Sequence, residues 1–299
     1  MIFSKIIAYG ENKTPKYFKS LAIGSPNIIV GIATDNSLGI QTINRSGVVA
    51  WKPLPPISKT IKPATIDCAE DGSIVVLTED KKLYRSFLSP YAQIIKPWVE
   101  CGYGGEINGV SIGSANNVIS ILKDKVPQYI IARWVGKSSF LTLGGLPGNE
   151  PGSIVAAAAD GTLLVEVNTQ IYQAFILPDN SLKWLSLNLF TPVASLSAGS
   201  ASSMHYVSDN KLYRYLGLGQ AYSIKLQEYR YDDGKWGYHS IEGKVISVNG
   251  CNANQIVIIV QDKEGNNNGY LSLPGSQLEL MENVPNTTGE LVTLDTELV

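Results

Sequence analysis

Residues 184–214 read WLSLNLFTPVASLSAGSASSMHYVSDNKLYR. A Trp-led apolar run is followed by a short strand of small residues, Ala194 to Ser200, and then by a corner. A β-type run, Ser203 to Val207, comes next; an Asp209-Asn210 turn closes it, and a third run begins at Lys211. β-Branched and aromatic residues suit the strands. Asp and Asn suit the turn because their side chains hydrogen-bond the local backbone and tolerate left-handed geometry. The same order recurs along the chain. Its turns fall at Asp35, Asp80, Asp124, Asn168, Asp209 and Asp262, spaced by 45, 44, 44, 41 and 53 residues. No segment sustains a helical period, so helix content should be low. An internal repeat of this length decides the architecture before any single residue does.

Four strands in each such unit is the arithmetic of a β-propeller. The first strand of each unit is poor in bulk, which fits strands crowded around a central channel. The fourth element carries an aromatic: Trp51, Trp98, Phe140, Trp184 and Trp236. Lys5–Tyr9 occupies the corresponding slot ahead of the first unit, so the N-terminal strand should close the last blade and remove its open edge. The expected fold is all-β: a single propeller domain over residues 1–299, with six four-stranded blades starting near 17, 63, 107, 152, 192 and 243. The tail contains two more strand-like runs, QLELMENV and ELVTLDTELV. They leave a seventh blade as the alternative.

The net charge of −2, with 44% apolar and 17% charged residues, provides no basic field for nucleic acid or an anionic membrane surface. No 18-residue apolar run exists, so membrane insertion is not expected. The N-terminus lacks a signal-peptide core. Localisation is otherwise open: cytoplasmic, or exported by a signal-less route. Three cysteines, Cys68, Cys101 and Cys251, do not make a disulfide framework.

The WD40, kelch and Asp-box signatures are absent. What recurs is a Trp-led unit ending in Leu-Tyr-Arg: Trp184-x-Ser-Leu, then Ala194-Ser-Leu-Ser-Ala-Gly199, then Leu212-Tyr213-Arg214. Leu83-Tyr84-Arg85 repeats its end, and Trp236 to Gly250 repeats its beginning. This pattern resembles the tectonin repeat of bacterial and fungal lectin propellers. The resemblance implies a non-enzymatic, multivalent carbohydrate-binding module. Sugars stack on aromatic faces, so the expected ligand-binding residues are Trp51, Trp98, Trp134, Trp184 and Trp236. The competing reading of a periodic Trp is a seal between blades. Partners are expected to be glycans or a protein, the latter in a scaffold or accessory-subunit role, with no cofactor and no catalytic or metal-ligating set. The two histidines, His205 and His239, fall in different elements. Asp262–Asn268 reads as a long hairpin turn more readily than as a calcium loop. A metal-dependent hydrolase at the central channel is the third reading, resting on Asp67, Asn116, Asp160 and Asn254.

Overall fold

The computed structural model describes residues 1–6, 8, 15–25, 28–43, 49–88, 96–103, 105–123, 129–136, 139–152, 154–200, 203–217, 219–232, 235–252, 255–272 and 280–283. These residues form six radial sheets around an axis, antiparallel except for one added strand in the sixth. Blades 1 to 5 run outward from innermost strands Phe18–Ser25, Pro63–Cys68, Glu106–Ser114, Ile154–Ala157 and Ser195–Ser200. Their outer strands are Val49–Pro53, Val99–Glu100, Ser139–Gly145, Leu182–Phe190 and Gln220–Ile224. Blade 6 contributes Lys244–Asn252, Gln255–Gln261 and Asn267–Ser272, and its fourth strand is the N-terminal Ile2–Lys5. The expected closure is therefore present, a few residues earlier than Lys5–Tyr9. Phe3 faces Ser272 across the ladder, and the Ile6 N–H donates to the Gly269 carbonyl at 2.9 Å. Tyr9 lies outside the described residues. The only helical element among them is a 3-10 turn at Pro147–Asn149.

The recurring turn residues do what their chemistry suggests. Asn168 and Thr169, and again Asp209 and Asn210, have positive φ at both centres of two-residue hairpins. This twist matches that of the flanking strands. Asp35 accepts from the Ser37 N–H and hydroxyl. Asp262 accepts from the Glu264 and Asn266 N–H groups and the Asn268 amide, so the loop's own donors engage its carboxylate. Asp124 lies outside the described residues.

Between blades the core is continuous. Ile28, Val30, Ile32, Ile66, Ile74 and Val76 fill the joint of blades 1 and 2, and equivalent clusters fill the others. Small residues at the inner corners let these sheets approach. A Cβ on Gly24 would stand 2.3 Å from the Ala69 carbonyl oxygen, and one on Gly113 would stand 2.2 Å from that of Ala158.

Six sheets are present, as expected, with no seventh blade among the described residues. The structure departs from the expected layout in the tail and in an insertion. The tail strand Leu280–Asn283 pairs with the outer strand of blade 5 as a fifth strand, with Tyr222 opposite Asn283 and Ile224 opposite Leu280. Blade 6 does not need it, because the N-terminus has completed that blade. The 53-residue spacing before Asp262 holds an inserted hairpin, Gln227–Asp232 with Lys235–Ser240. It docks in parallel on Ile2–Lys5 and extends blade 6 to six strands. Trp236 sits on this insertion, not on the fourth strand of blade 5.

Candidate functional site

The innermost strands enclose an axial cavity of about 310 Å³. Each such strand has an inner edge with no ladder partner, so its N–H groups need acceptors. Side chains of neighbouring blades supply them. The Ser20 hydroxyl accepts from Ile66 N–H (3.2 Å), and the Ser111 hydroxyl accepts from Ala157 N–H (2.9 Å). Ser195 accepts from Val248 N–H at 3.1 Å, and Asn249 Oδ1 from Ile23 N–H at 2.9 Å. Asp67 is the hub. Its Oδ2 accepts from Ser111 Oγ (2.7 Å) and Ile112 N–H (2.9 Å), and its Oδ1 accepts from Asn249 Nδ2 and Cys68 N–H (both 2.9 Å). Burial pushes this carboxyl above the usual aspartate range, and the four donors oppose that shift. The oxygens of Asp67 are thus committed to neighbouring strands. Asn116 and Asp160 lie at exposed turns, where Asp160 accepts from the Thr162 N–H, and Asn254 is outside the described residues. Among the described residues no three imidazole, thiol or carboxylate groups gather as a metal cluster.

The described tryptophan side chains are half-buried and stand at blade joints. Trp98 Nε1–H donates to the Pro55 carbonyl at the end of blade 1, and Trp184 Nε1–H to the Gly145 carbonyl of blade 3, both at 3.1 Å. Trp51 meets Phe18 edge-on at 5.2 Å, and a Cβ on Gly39 would touch its indole. Trp134 carries the Arg85 guanidinium 4.7 Å above its ring, across the joint of blades 2 and 3. The Arg85 charge rests on this aromatic face. The side chain of Trp236 is outside the described residues.

His205 is 1% exposed and lies in a cross-strand row between Ser197 and Arg214. Burial, with the Arg214 charge second, pulls its pKa down to about 3. The imidazole is therefore neutral near pH 7, and its Nε2 has no hydrogen-bond partner among the described residues. Burial pushes the Cys101 thiol up to about 12 and the Cys251 thiol up to about 11, so both stay protonated.

The outer surface of blade 4 is different. Phe175, Leu177, Leu185 and Phe190 are 44%, 39%, 60% and 55% exposed. They are four of the eight large apolar side chains exposed among the described residues, and all belong to the two outer strands of one blade and the turn between them. Phe175 faces Lys183 and Gln173 faces Leu185 across the ladder. Phe175 and Leu185 therefore share one face of the sheet. The alternate residues Leu182 and Trp184 pack towards blade 3. The sequence signal for this surface is the run Leu185 to Phe190. It reads equally well as a packed strand, and so it was not singled out.

No known family profile matches the sequence, and no curated protein is similar to it. Solved structures are similar in fold. YCF48 bound to a peptide has a TM-score of 0.51 and 14% identity, over 90% of this chain and 82% of that one. A catalytically inactive histidine-to-alanine variant of virginiamycin B lyase from Staphylococcus aureus, with quinupristin, has a TM-score of 0.55 and 14% identity, over 91% and 99%. A putative gluconolactonase has a TM-score of 0.56 and 8% identity, over 94% of both chains. These likenesses establish the β-propeller fold. They also correct the expectation of a non-enzymatic lectin-like module, because similar folds include a lyase and a putative lactonase. No helix among the described residues is long and apolar enough to cross a membrane.

Proposed function

We propose that this propeller recognises a polypeptide through the outer surface of blade 4. The observation that carries this reading is the concentration of exposed Phe175, Leu177, Leu185 and Phe190 on one blade. Scattered surface apolar groups need no explanation, whereas exposed Phe175 and Leu185 are neighbours on one face of the sheet, as at an interaction surface. Large apolar anchors ringed by polar groups are the usual energetic centre of a protein interface. That YCF48, similar in fold, is solved with a bound peptide supports this reading. The tectonin-like Trp and Leu-Tyr-Arg units then serve the blade joints. Selection of 12-residue peptides from a random display library tests the reading. Peptides enriched on the wild-type protein should fail to bind a Leu185→Asp variant. Enriched peptides that bind both proteins equally would refute it.

The axial cavity favours a second reading, as a small-molecule site. Its size falls at the lower end of ligand pockets, and Ser, Asn and Asp side chains line it beside Ala and Gly. Incubation with virginiamycin B or with gluconolactone tests the enzymatic form of this reading. Turnover lost on filling the cavity by Ala156→Leu would support it, and no turnover of either compound would count against it.

A further inference from the structure

We infer that the bound polypeptide adds as a β-strand to the free outer edge of blade 4, placing an apolar side chain beside Leu185 on the face that also carries Phe175. This inference rests on the polypeptide reading above and specifies how that surface is used. Among the described strands, none pairs with the outer edge of Leu182–Phe190. A free edge presents unpaired N–H and C=O groups, which are a template for another strand.

The molecule already uses this mode twice. The outer edge of blade 5 takes Leu280–Asn283 in antiparallel sense. The outer edge of blade 6 takes the strand Gln227–Asp232 in parallel sense, with Ile2 opposite Gln227 and Phe3 opposite Glu228. Outer edges of this propeller therefore accept strands of either polarity. Blade 4 has the longest outer strand, nine residues against five, two, seven, five and four in the other blades.

The usable stretch is its first part. Ladder pairing runs from Leu182 opposite Ile176 to Ser186 opposite Tyr172, and then breaks before Phe190 meets Gln170. Asn188, with φ of 54°, marks that bulge. A bulge turns an edge away from further pairing, so docking is confined to about Leu182 to Leu187. Within it, Lys183 and Leu185 point to the face that carries Phe175. An added strand extends that face every second residue. Its apolar residue would cover Leu185, and an acidic residue would meet the exposed Lys183.

A scan of single backbone N-methyl groups along one library-selected peptide tests this while leaving the protein intact. Strand addition predicts a parity. Methylation at every second residue removes a donor to the edge and weakens binding about tenfold, while methylation at the residues between changes little. A peptide whose binding requires Leu185 but tolerates methylation without parity overturns strand addition and leaves the polypeptide reading standing. If no selected peptide depends on Leu185, both fall.

Discussion

The inner wall of the propeller and the outer surface of blade 4 are built from the same kind of strand and solve opposite problems. On the inner wall Ser20, Ser111, Ser195 and Asn249 are each hydrogen-bonded to another blade, and Asp67 alone serves four donors from three blades. On blade 4, Leu185 and Phe190 point into solvent beside an edge that no described strand pairs. What recurs around the ring is what the ring needs to close. What occurs on one blade only is left over after closure, and is the better guide to recognition.

The largest expected effect sharpens the inner half of that contrast. Replacing Asp67 by Ala leaves four donors, three of them in buried bonds, without this acceptor, at a cost of about 3–5 kcal/mol. Asp67→Asn, which keeps the shape and one acceptor oxygen, should cost less. Urea unfolding of the two variants measures the difference. Equal stability of Asp67→Ala and wild type would break the account of the wall.

The buried His205 gives an effect of similar size under acid. Its pKa is about 3 in the fold against 6.5 for an ordinary histidine. The unfolded chain therefore binds the extra proton between those values, and stability falls as pH drops from about 6.5 towards 3. Linkage puts the loss on the order of 4 kcal/mol. His205→Leu should flatten this part of the stability profile, as followed by thermal midpoint against pH. An unchanged slope in the variant would mean that other groups carry the acid sensitivity.

A smaller effect is expected at the joints. Trp98→Phe keeps the ring contact and loses the Nε1–H bond to the Pro55 carbonyl. The expected loss is about 1 kcal/mol, read from the urea midpoint. No loss would mean that this indole does not hold the joint.

Much of the ring was legible in the sequence because the period of turns, small inner strands and outer aromatics is imposed by packing at every blade. Closure by the N-terminus was legible for the same reason. The inserted Gln227–Ser240 hairpin was hidden, because Trp236 imitates the aromatic slot of the repeat and only the 53-residue spacing betrays the extra strands. The fifth strand of blade 5 was hidden because Leu280–Asn283 carries no mark of which edge it joins. The candidate site was less legible. Residues 184–190 alternate like any strand lying between two blades. Whether Leu185 is covered depends on how far the neighbouring blade stands away, which no local pattern encodes. The joint contacts of Trp98 and Trp184 likewise depend on carbonyls about 40 residues earlier, at Pro55 and Gly145.

The most direct test of the contrast compares the affinity of one library-selected peptide for two variants, Leu185→Asp on the exposed surface and Trp98→Phe at a joint. The surface variant should bind at least about thirtyfold more weakly while its stability stays within about 0.5 kcal/mol of wild type. The joint variant should lose stability and keep its affinity. The opposite pattern, with affinity intact in Leu185→Asp and lost in Trp98→Phe, would contradict the account and return recognition to the tryptophans.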